Sequence, residues 1–327
     1  MPLSRRHLLA SGLVLSGTGV LAACSSQSSS PLTIGLTYTP NIQFAPIYMA
    51  KKNSKYASGV SLRHHGAQEG LFDALLSGKE QLVVAGADEA VVAASNGSDL
   101  VVVGGYYQSY PACLIVPENS PIKTPADLKG KTVGTPGRKG ETWYALQLAM
   151  DTASLSESNL TIQDIGYTQQ AALVGGKVDA VVGFSNNDAV QIKQAGTAVR
   201  TIQPAESIPL IGVSLVTTRK LLDSRREDLQ AAVKASAEGM TAFVKDPDAA
   251  VEATKEYVQD LVDSTQAANA REVAVATGKL VSGEGKAAVG SVRVDDFTPM
   301  IEFLASHKIL GDKKTPKAAE VCVPLGQ

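Results

Sequence analysis

This sequence lacks an excess of charge of either sign, and its runs of apolar residues are short. Its 327 residues include 30 Lys and Arg against 32 Asp and Glu, a net charge of −2. This charge provides neither the basic patch that gathers nucleic acid nor a polybasic membrane surface, so we expect no nucleic-acid partner. Hydrophobic residues at 44% and charged residues at 19% instead indicate a globular protein, long enough for two lobes.

Catalytic and metal-binding motifs are also missing. The four histidines have no CxxC or HxxxH partner. Residues 137–142 lack the order of glycine, lysine and hydroxyl that a phosphate loop needs, and residues 183–187 lack the second glycine of a nucleophile elbow. We therefore expect no metal, no cofactor and no catalytic residue, which favours a binding protein over an enzyme.

The amino terminus has the pattern of a lipoprotein signal peptide. Arg5 and Arg6 precede a stretch of apolar and small residues that ends in Leu-Ala-Ala-Cys24. This stretch is too short and too interrupted by glycine to span a bilayer, which takes ~20 apolar residues. Its end resembles a bacterial lipobox, whose cysteine thiol receives a diacylglyceryl group before cleavage. We expect residues 1–23 to be removed, Cys24 to be lipidated, and residues 24–31 to tether an exported body to the outer face of the cell membrane. Sec and twin-arginine export both fit this leader.

Short β-branched runs alternate with helical patterns from residue 32 onward, as is typical of parallel sheets covered by helices. A proline-punctuated stretch follows residue 116, and a last apolar run at residues 210–217 precedes an almost wholly helical tail. We predict an α/β protein of two lobes. Residues 32–117 with 216–327 form lobe 1, residues 118–215 form lobe 2, and the two chain crossings form a hinge. The helical tail is expected to pack on lobe 1.

Aromatic and amide side chains concentrate where the predicted strands end. Ligands of open α/β sheets bind beyond the carboxyl ends of strands, and these ends hold the only tryptophan of a chain that is 5% aromatic. The candidate ligand-binding residues are Tyr38, Asn41, Gln43, Gly86, Asp88, Gln108, Ser109, Trp143, Phe184, Asn186, Asn187 and Asp188.

Ring faces supply stacking, and amides supply paired donors and acceptors, so this set suits a small, planar, polar ring compound. We expect Tyr38 and Trp143 to stack on the ring. Two alternatives stay open for the acids: Asp88 and Asp188 either cap their helices or face the cleft, where they favour a ligand with amino groups.

Several segments resemble the solute-binding lipoproteins of ABC importers. The segments are Thr-Pro-Asn41, residues 45–50, Ser-Pro-Ile122, residues 125–134, Leu173 with residues 176–180, and residues 183–187. The resemblance covers about residues 32 to 218 and is nearest to the branch that captures thiamine pyrimidine precursors, alkanesulfonates, taurine or riboflavin.

This resemblance implies a type II periplasmic-binding fold and a monomer that passes a small heteroaromatic solute to an ABC permease and its ATPase. By the same resemblance Asn41, Phe184, Asn186 and Asn187 contact the ligand, whereas Gln43 stands where the pyrimidine branch often has histidine. A thiamine pyrimidine precursor is the leading ligand, with riboflavin and alkanesulfonate or taurine as alternatives.

A more distant alternative is an enzyme. Fungal pyrimidine-synthesising enzymes of this fold carry a cysteine-rich motif, but after Cys24 this chain has only Cys113 and Cys322. In an exported protein these two cysteines either pair in a disulfide or remain buried thiols.

Overall fold

The computed structural model describes residues 31–66, 69–285 and 287–326. The predicted signal peptide, the lipidated Cys24 and all but the last residue of the tether lie outside these ranges. Within them, no helix combines the length and the hydropathy that a membrane crossing requires.

Ten strands in the described residues form two five-stranded sheets. In chain order they are β1 Thr33–Leu36, β2 Ser61–His64, β3 Leu82–Gly86, β4 Leu100–Gly105, β5 Ala112–Pro117, β6 Thr132–Thr135, β7 Thr161–Asp164, β8 Ala180–Phe184, β9 Val199–Ile202 and β10 Val213–Thr218. Strands β3 and β4 of the first sheet are buried throughout, and β8 of the second is buried except at Phe184, which is why continuous apolar runs predicted them.

Both sheets are mixed, although the sequence predicts parallel ones. The first has the order β2-β1-β3-β10-β4, in which β10 runs antiparallel to both of its neighbours. The second has the order β7-β6-β8-β5-β9, in which β5 runs antiparallel to both of its neighbours. In each sheet the antiparallel strand is the one that the chain forms directly after crossing from the other sheet.

The crossings also lie earlier than predicted. The predicted first lobe runs to residue 117, but β5 pairs with β8 and β9 of the second sheet. The predicted return is at residue 216, but β10 already joins the first sheet at Val213. The chain therefore crosses between residues 105 and 112 and again between residues 202 and 213, because an apolar strand does not specify which sheet it will join.

Helices cover both sheets. In the described residues they are α1 Ala45–Lys52, α2 Asp73–Leu76, α3 Ala87–Ser95, α4 Gly140–Thr152, α5 Gln169–Val174, α6 Asp188–Gln194, α7 Arg219–Ser224, α8 Arg226–Lys245, α9 Pro247–Thr254, α10 Ser264–Ser282, α11 Phe297–Ser306 and α12 Ala318–Val321. As predicted, the helical tail packs on the first lobe: α8 crosses α1 with Gly239 against Pro46 and Ala50.

The last residues of the tail cover the outer edge of β4. Cys322 forms a parallel bridge with Val102, and the N–H of Leu325 donates to the carbonyl of Val103 at 2.9 Å. Cys113, by contrast, lies in β5 of the second sheet, and both cysteines are buried free thiols. Of the two alternatives for these cysteines, the structure therefore shows the unpaired one.

Candidate functional site

The first turns of α3 and α4 meet where the two lobes face each other. Helix α3 belongs to the first lobe and opens with Asp88 and Glu89, whereas α4 belongs to the second and opens with Glu141. Carboxylates are favourable at the positive amino-terminal end of a helix, which explains each acid separately. Together they place three acids from two lobes at one point.

The three carboxylates converge beside Gly86, the last residue of β3. One oxygen from each of them lies within 4.8 Å of the other two. A Cβ at position 86 would lie 2.7 Å from Asp88 Oδ1, 2.7 Å from Glu89 Oε2 and 3.2 Å from Glu141 Oε1. The missing side chain of Gly86 therefore provides the space into which all three carboxylates point.

Tyr110, in the first crossing, connects this acid cluster to both lobes. Its hydroxyl donates to Asp88 Oδ2 at 2.7 Å and lies 3.0 Å from the backbone oxygen of Glu141. Gly86 is the N-cap of α3, and Asp88 Oδ1 accepts the first-turn N–H of Glu89 at 2.7 Å, so Asp88 binds its own helix and also faces the other lobe. Glu141 is only 6% exposed, yet its Oε1 has no hydrogen-bond partner.

Burial raises the pKa of all three carboxyl groups. Burial and the neighbouring charge of Glu89 raise the pKa of Asp88, while burial and the charges of Asp88 and Glu89 raise the pKa of Glu141. Burial raises the pKa of Glu89 to about 7, an effect that the positive charge of Lys139 partly offsets. Without a ligand the cluster therefore holds protons at pH values where exposed carboxyl groups have lost them.

The free energy of unfolding of the ligand-free protein is therefore expected to decrease as the pH rises from about 4.5 through about 7. A raised carboxyl pKa means that the folded state binds more protons than the unfolded chain in this interval, and proton loss at higher pH removes that stability. Urea denaturation at pH 5 and pH 8 measures the decrease. The lowered pKa of His64 acts in the opposite direction, so the contribution of the cluster is the difference between the native protein and Glu141→Gln. Equal pH dependence in both proteins would contradict this expectation.

A second polar contact joins the lobes at Asn186, which follows β8. Its Nδ2 donates to Thr277 Oγ1 on α10 at 2.9 Å and reaches the Tyr107 hydroxyl at 3.3 Å. The side chain of Gln43 also hydrogen-bonds this tyrosine. Asn186 is 1% exposed, and its Oδ1 has no partner. Each lobe junction thus contains a buried, unpaired oxygen acceptor contributed by the second lobe.

The structure brings some predicted residues together at these junctions and holds others in local contacts. Gly86 and Asp88 lie in the acid cluster, and Gln43 and Asn186 meet at Tyr107. The remaining polar candidates are engaged nearby: Asn41 accepts from the Gln43 N–H, Gln108 donates to the Ser291 carbonyl, Asn187 accepts from Gln191, Asp188 accepts from the Phe184 N–H, and the N–H of partly buried Ser109 donates to the Leu280 carbonyl.

The two predicted stacking residues occupy different surroundings. Trp143 is 8% exposed and packs beneath the Arg138 guanidinium of its own lobe, 5.3 Å from the ring centre. Tyr38 is 45% exposed at the end of β1. Their stacking on a bound ring stays a prediction.

Three residues at these junctions are not among those predicted from the sequence: Glu89, Glu141 and Thr277. The first two carry a detectable signal, because acids open the helices after β3 and β6, at the same ends of the sheets as the predicted site. Thr277 lies within a regular helical pattern and carries none.

Residues 41–250 of the sequence match the model of the NMT1/THI5-like family. The chain belongs to the NMT1/THI5-like family. Among relatives of this NMT1/THI5-like protein, the riboflavin-binding protein RibY of Chloroflexus aurantiacus is 30% identical over 235 residues, which are 70% of this chain and 67% of RibY. The formylaminopyrimidine-binding protein of Halalkalibacterium halodurans is 24% identical over 243 residues, 71% of this chain and 73% of the relative.

Solved structures show the same fold. The aliphatic sulphonate-binding protein SsuA of Escherichia coli superimposes with a TM-score of 0.68 at 20% identity, covering 88% of this chain and 91% of SsuA. The two-lobed α/β architecture and the family resemblance predicted from sequence are thus confirmed.

Proposed function

We propose that this NMT1/THI5-like protein is the substrate-binding component of an ABC importer and holds a small heteroaromatic solute between its lobes. Its relatives include proteins named for binding riboflavin and formylaminopyrimidine. The observation that carries the proposal is the pair of buried, unpaired acceptors, Glu141 Oε1 and Asn186 Oδ1, at the contacts between the lobes. A buried acceptor without a donor is costly, so a guest with N–H groups would complete both junctions.

The chemistry of these atoms separates the alternative solutes. An aminopyrimidine such as a thiamine precursor brings the two N–H donors of its exocyclic amino group, and the isoalloxazine of riboflavin brings one ring N–H donor. The sulfonate group of an alkanesulfonate brings only acceptor oxygens, which would face the carboxylates of Asp88 and Glu141 without a donor between them. Taurine adds an ammonium group to its sulfonate, but it has no ring for the aromatic candidate residues. The site therefore favours a thiamine pyrimidine precursor first and riboflavin second, over alkanesulfonate or taurine.

An enzymatic role receives no support from the cysteines. Burial raises the pKa of the Cys322 thiol to about 12 and that of the Cys113 thiol further, so neither forms the thiolate that nucleophilic chemistry needs. The remaining proposals follow from the sequence: export, a lipid anchor on Cys24, a monomer, and delivery to a permease with its ATPase.

A thermal-shift panel tests the proposal. Purified protein is heated alone and with millimolar 4-amino-5-hydroxymethyl-2-methylpyrimidine, riboflavin or taurine. We expect the pyrimidine to raise Tm, because a ligand present at 100 times its Kd stabilises the folded state by about 2.7 kcal/mol. Native mass spectrometry of freshly purified protein should show a bound small molecule. Stabilisation by taurine alone would overturn the choice of solute, and no stabilisation by any small molecule would overturn the function.

Replacing Asn186 with alanine is expected to weaken binding of the stabilising ring compound about tenfold, the usual effect of one lost hydrogen bond at a buried site. Thr277→Val is the matched control, since it removes the contact between lobes but keeps the acceptor of Asn186. Titration calorimetry should give a smaller loss for the valine variant. Equal losses would show that Asn186 only joins the lobes and does not contact the solute.

A further inference from the structure

We propose that Asp88, Glu89 and Glu141 form a subsite for a positively charged amino or amidino group on the solute. The inference rests on the proposed function, because it places the charged end of the guest between the lobes. It narrows the solute from ring compounds in general to those that carry a cation.

The geometry is that of an incomplete cation site. Three carboxylate oxygens lie within 4.8 Å of one another and pack against the bare Gly86, where a Cβ would come within 2.7 to 3.2 Å of them. None of the ion pairs formed by the described residues includes these three acids. The independent sign of a missing partner is Glu141 Oε1, which is buried and accepts no hydrogen bond.

The groups around the cluster do not neutralise it. Lys139 acts on Glu89 from the residue before α4, and the other close titratable neighbours, Tyr107, Tyr110 and Tyr144, are neutral because burial raises their pKa. A single lysine therefore faces three carboxyl groups. The ligand-free cluster balances this excess by holding protons, which a cationic guest would displace.

An ammonium group matches the cluster in its number of hydrogen-bond donors as well as in its charge. It carries three N–H donors, one for each carboxylate, whereas a hydroxyl carries one. Because Asp88 and Glu89 belong to one lobe and Glu141 to the other, a cation held by all three would favour the closed arrangement. Recognition of charge and closure of the lobes would then be one event.

Two probes that differ in one group test the subsite. The first, 4-amino-5-aminomethyl-2-methylpyrimidine, carries an ammonium group at neutral pH, and the second, its 5-hydroxymethyl counterpart, carries a hydroxyl. Titration calorimetry at pH 7.5 should give at least a tenfold lower Kd for the aminomethyl compound, since hydrogen bonds between charged partners are the strong ones. Its binding enthalpy should also depend on the ionisation enthalpy of the buffer, which reports proton release.

Glu141→Gln keeps the size of the side chain and removes its charge. We expect the preference for the aminomethyl compound to fall below threefold in this variant, and in Glu89→Gln if Glu141→Gln does not fold. The matched control is Glu302→Gln, an exposed acid on α11, which should keep the preference.

Four other outcomes would overturn either the subsite or the proposed function. A hydroxymethyl compound that binds at least as tightly as the aminomethyl compound overturns the subsite and leaves the proposed function standing. A preference unchanged in both Glu141→Gln and Glu89→Gln overturns the subsite as well. If Ca²⁺ or Mg²⁺ alone raises Tm in the native protein but not in Glu141→Gln, the cluster is a metal site and the inference is wrong. If neither pyrimidine nor riboflavin binds, the proposed function itself fails.

Discussion

Gly239→Ala is expected to lower the free energy of unfolding by about 3 kcal/mol, the upper range for forcing an extra methyl group into a packed core. A Cβ at position 239 would lie 2.2 Å from the Pro46 carbonyl oxygen and 2.6 Å from Ala50 Cβ. Backbone cannot rotate away as a long side chain does, so α8 must move off α1. Both helices belong to the buried cluster that joins the tail to the first lobe, so this movement would loosen the whole first lobe.

Gly278→Ala provides the control for this prediction. Gly278 also lies inside a tail helix, α10, but a Cβ there meets nothing closer than Val244 Cα at 4.0 Å. Alanine is the better helix former by about 1 kcal/mol, so this variant should keep or slightly gain stability. Urea denaturation of both variants gives the two values, and equal losses would show that the crossing of α1 and α8 is not the cause.

Glu80→Ala is expected to lower the free energy of unfolding by about 3 kcal/mol, the lower end of the range for breaking a buried ion pair, because the side chain of its partner Arg63 is 35% exposed. Glu80 is fully buried and accepts hydrogen bonds from Arg63 Nη1 at 2.7 Å and from His65 Nε2 at 2.9 Å. Its carboxylate packs on the bare backbone of Gly35, where a Cβ would lie 2.1 Å from Glu80 Oε2. Alanine would leave a void there and remove the partner of a buried histidine.

Glu69→Ala is the matched control, because Glu69 binds the same Arg63 at 2.6 Å but has a side chain that is 24% exposed, whereas that of Glu80 is fully buried. Solvent screens that pair, so its loss should change stability far less. Denaturation curves of the two variants at pH 7 make the comparison. If Glu69→Ala were as damaging as Glu80→Ala, the partly exposed pair of Arg63 and Glu69, and not the buried carboxylate of Glu80, would stabilise this part of the first lobe.

Most strands and helices could be predicted from the sequence because their apolar residues recur with clear periods. The almost wholly helical tail predicted after residues 210–217, for example, contains α7 to α12 in the structure. The positions of the two crossings could not be predicted, because the apolar patterns of β5 and β10 predict strands but do not show which sheet each strand joins. That assignment depends on contacts between segments about a hundred residues apart in sequence.

The sequence predicts those parts of the candidate site that lie where strands end. Gln43, Gly86, Asp88 and Asn186 lie at such ends and meet between the lobes. The convergence of Glu141 on Asp88, and of Thr277 on Asn186, depends on how one lobe sits on the other, which no local pattern contains.

The pairing of Cys322 and Leu325 with β4 has a consequence for biogenesis. The outer margin of the first sheet stays uncovered until Cys322 and Leu325 have been synthesised. Unpaired strand margins recruit other chains, so a ribosome-bound or prematurely terminated molecule would present an adhesive surface that the finished one lacks. The second lobe, built wholly from residues between the crossings, is free to fold before translation ends.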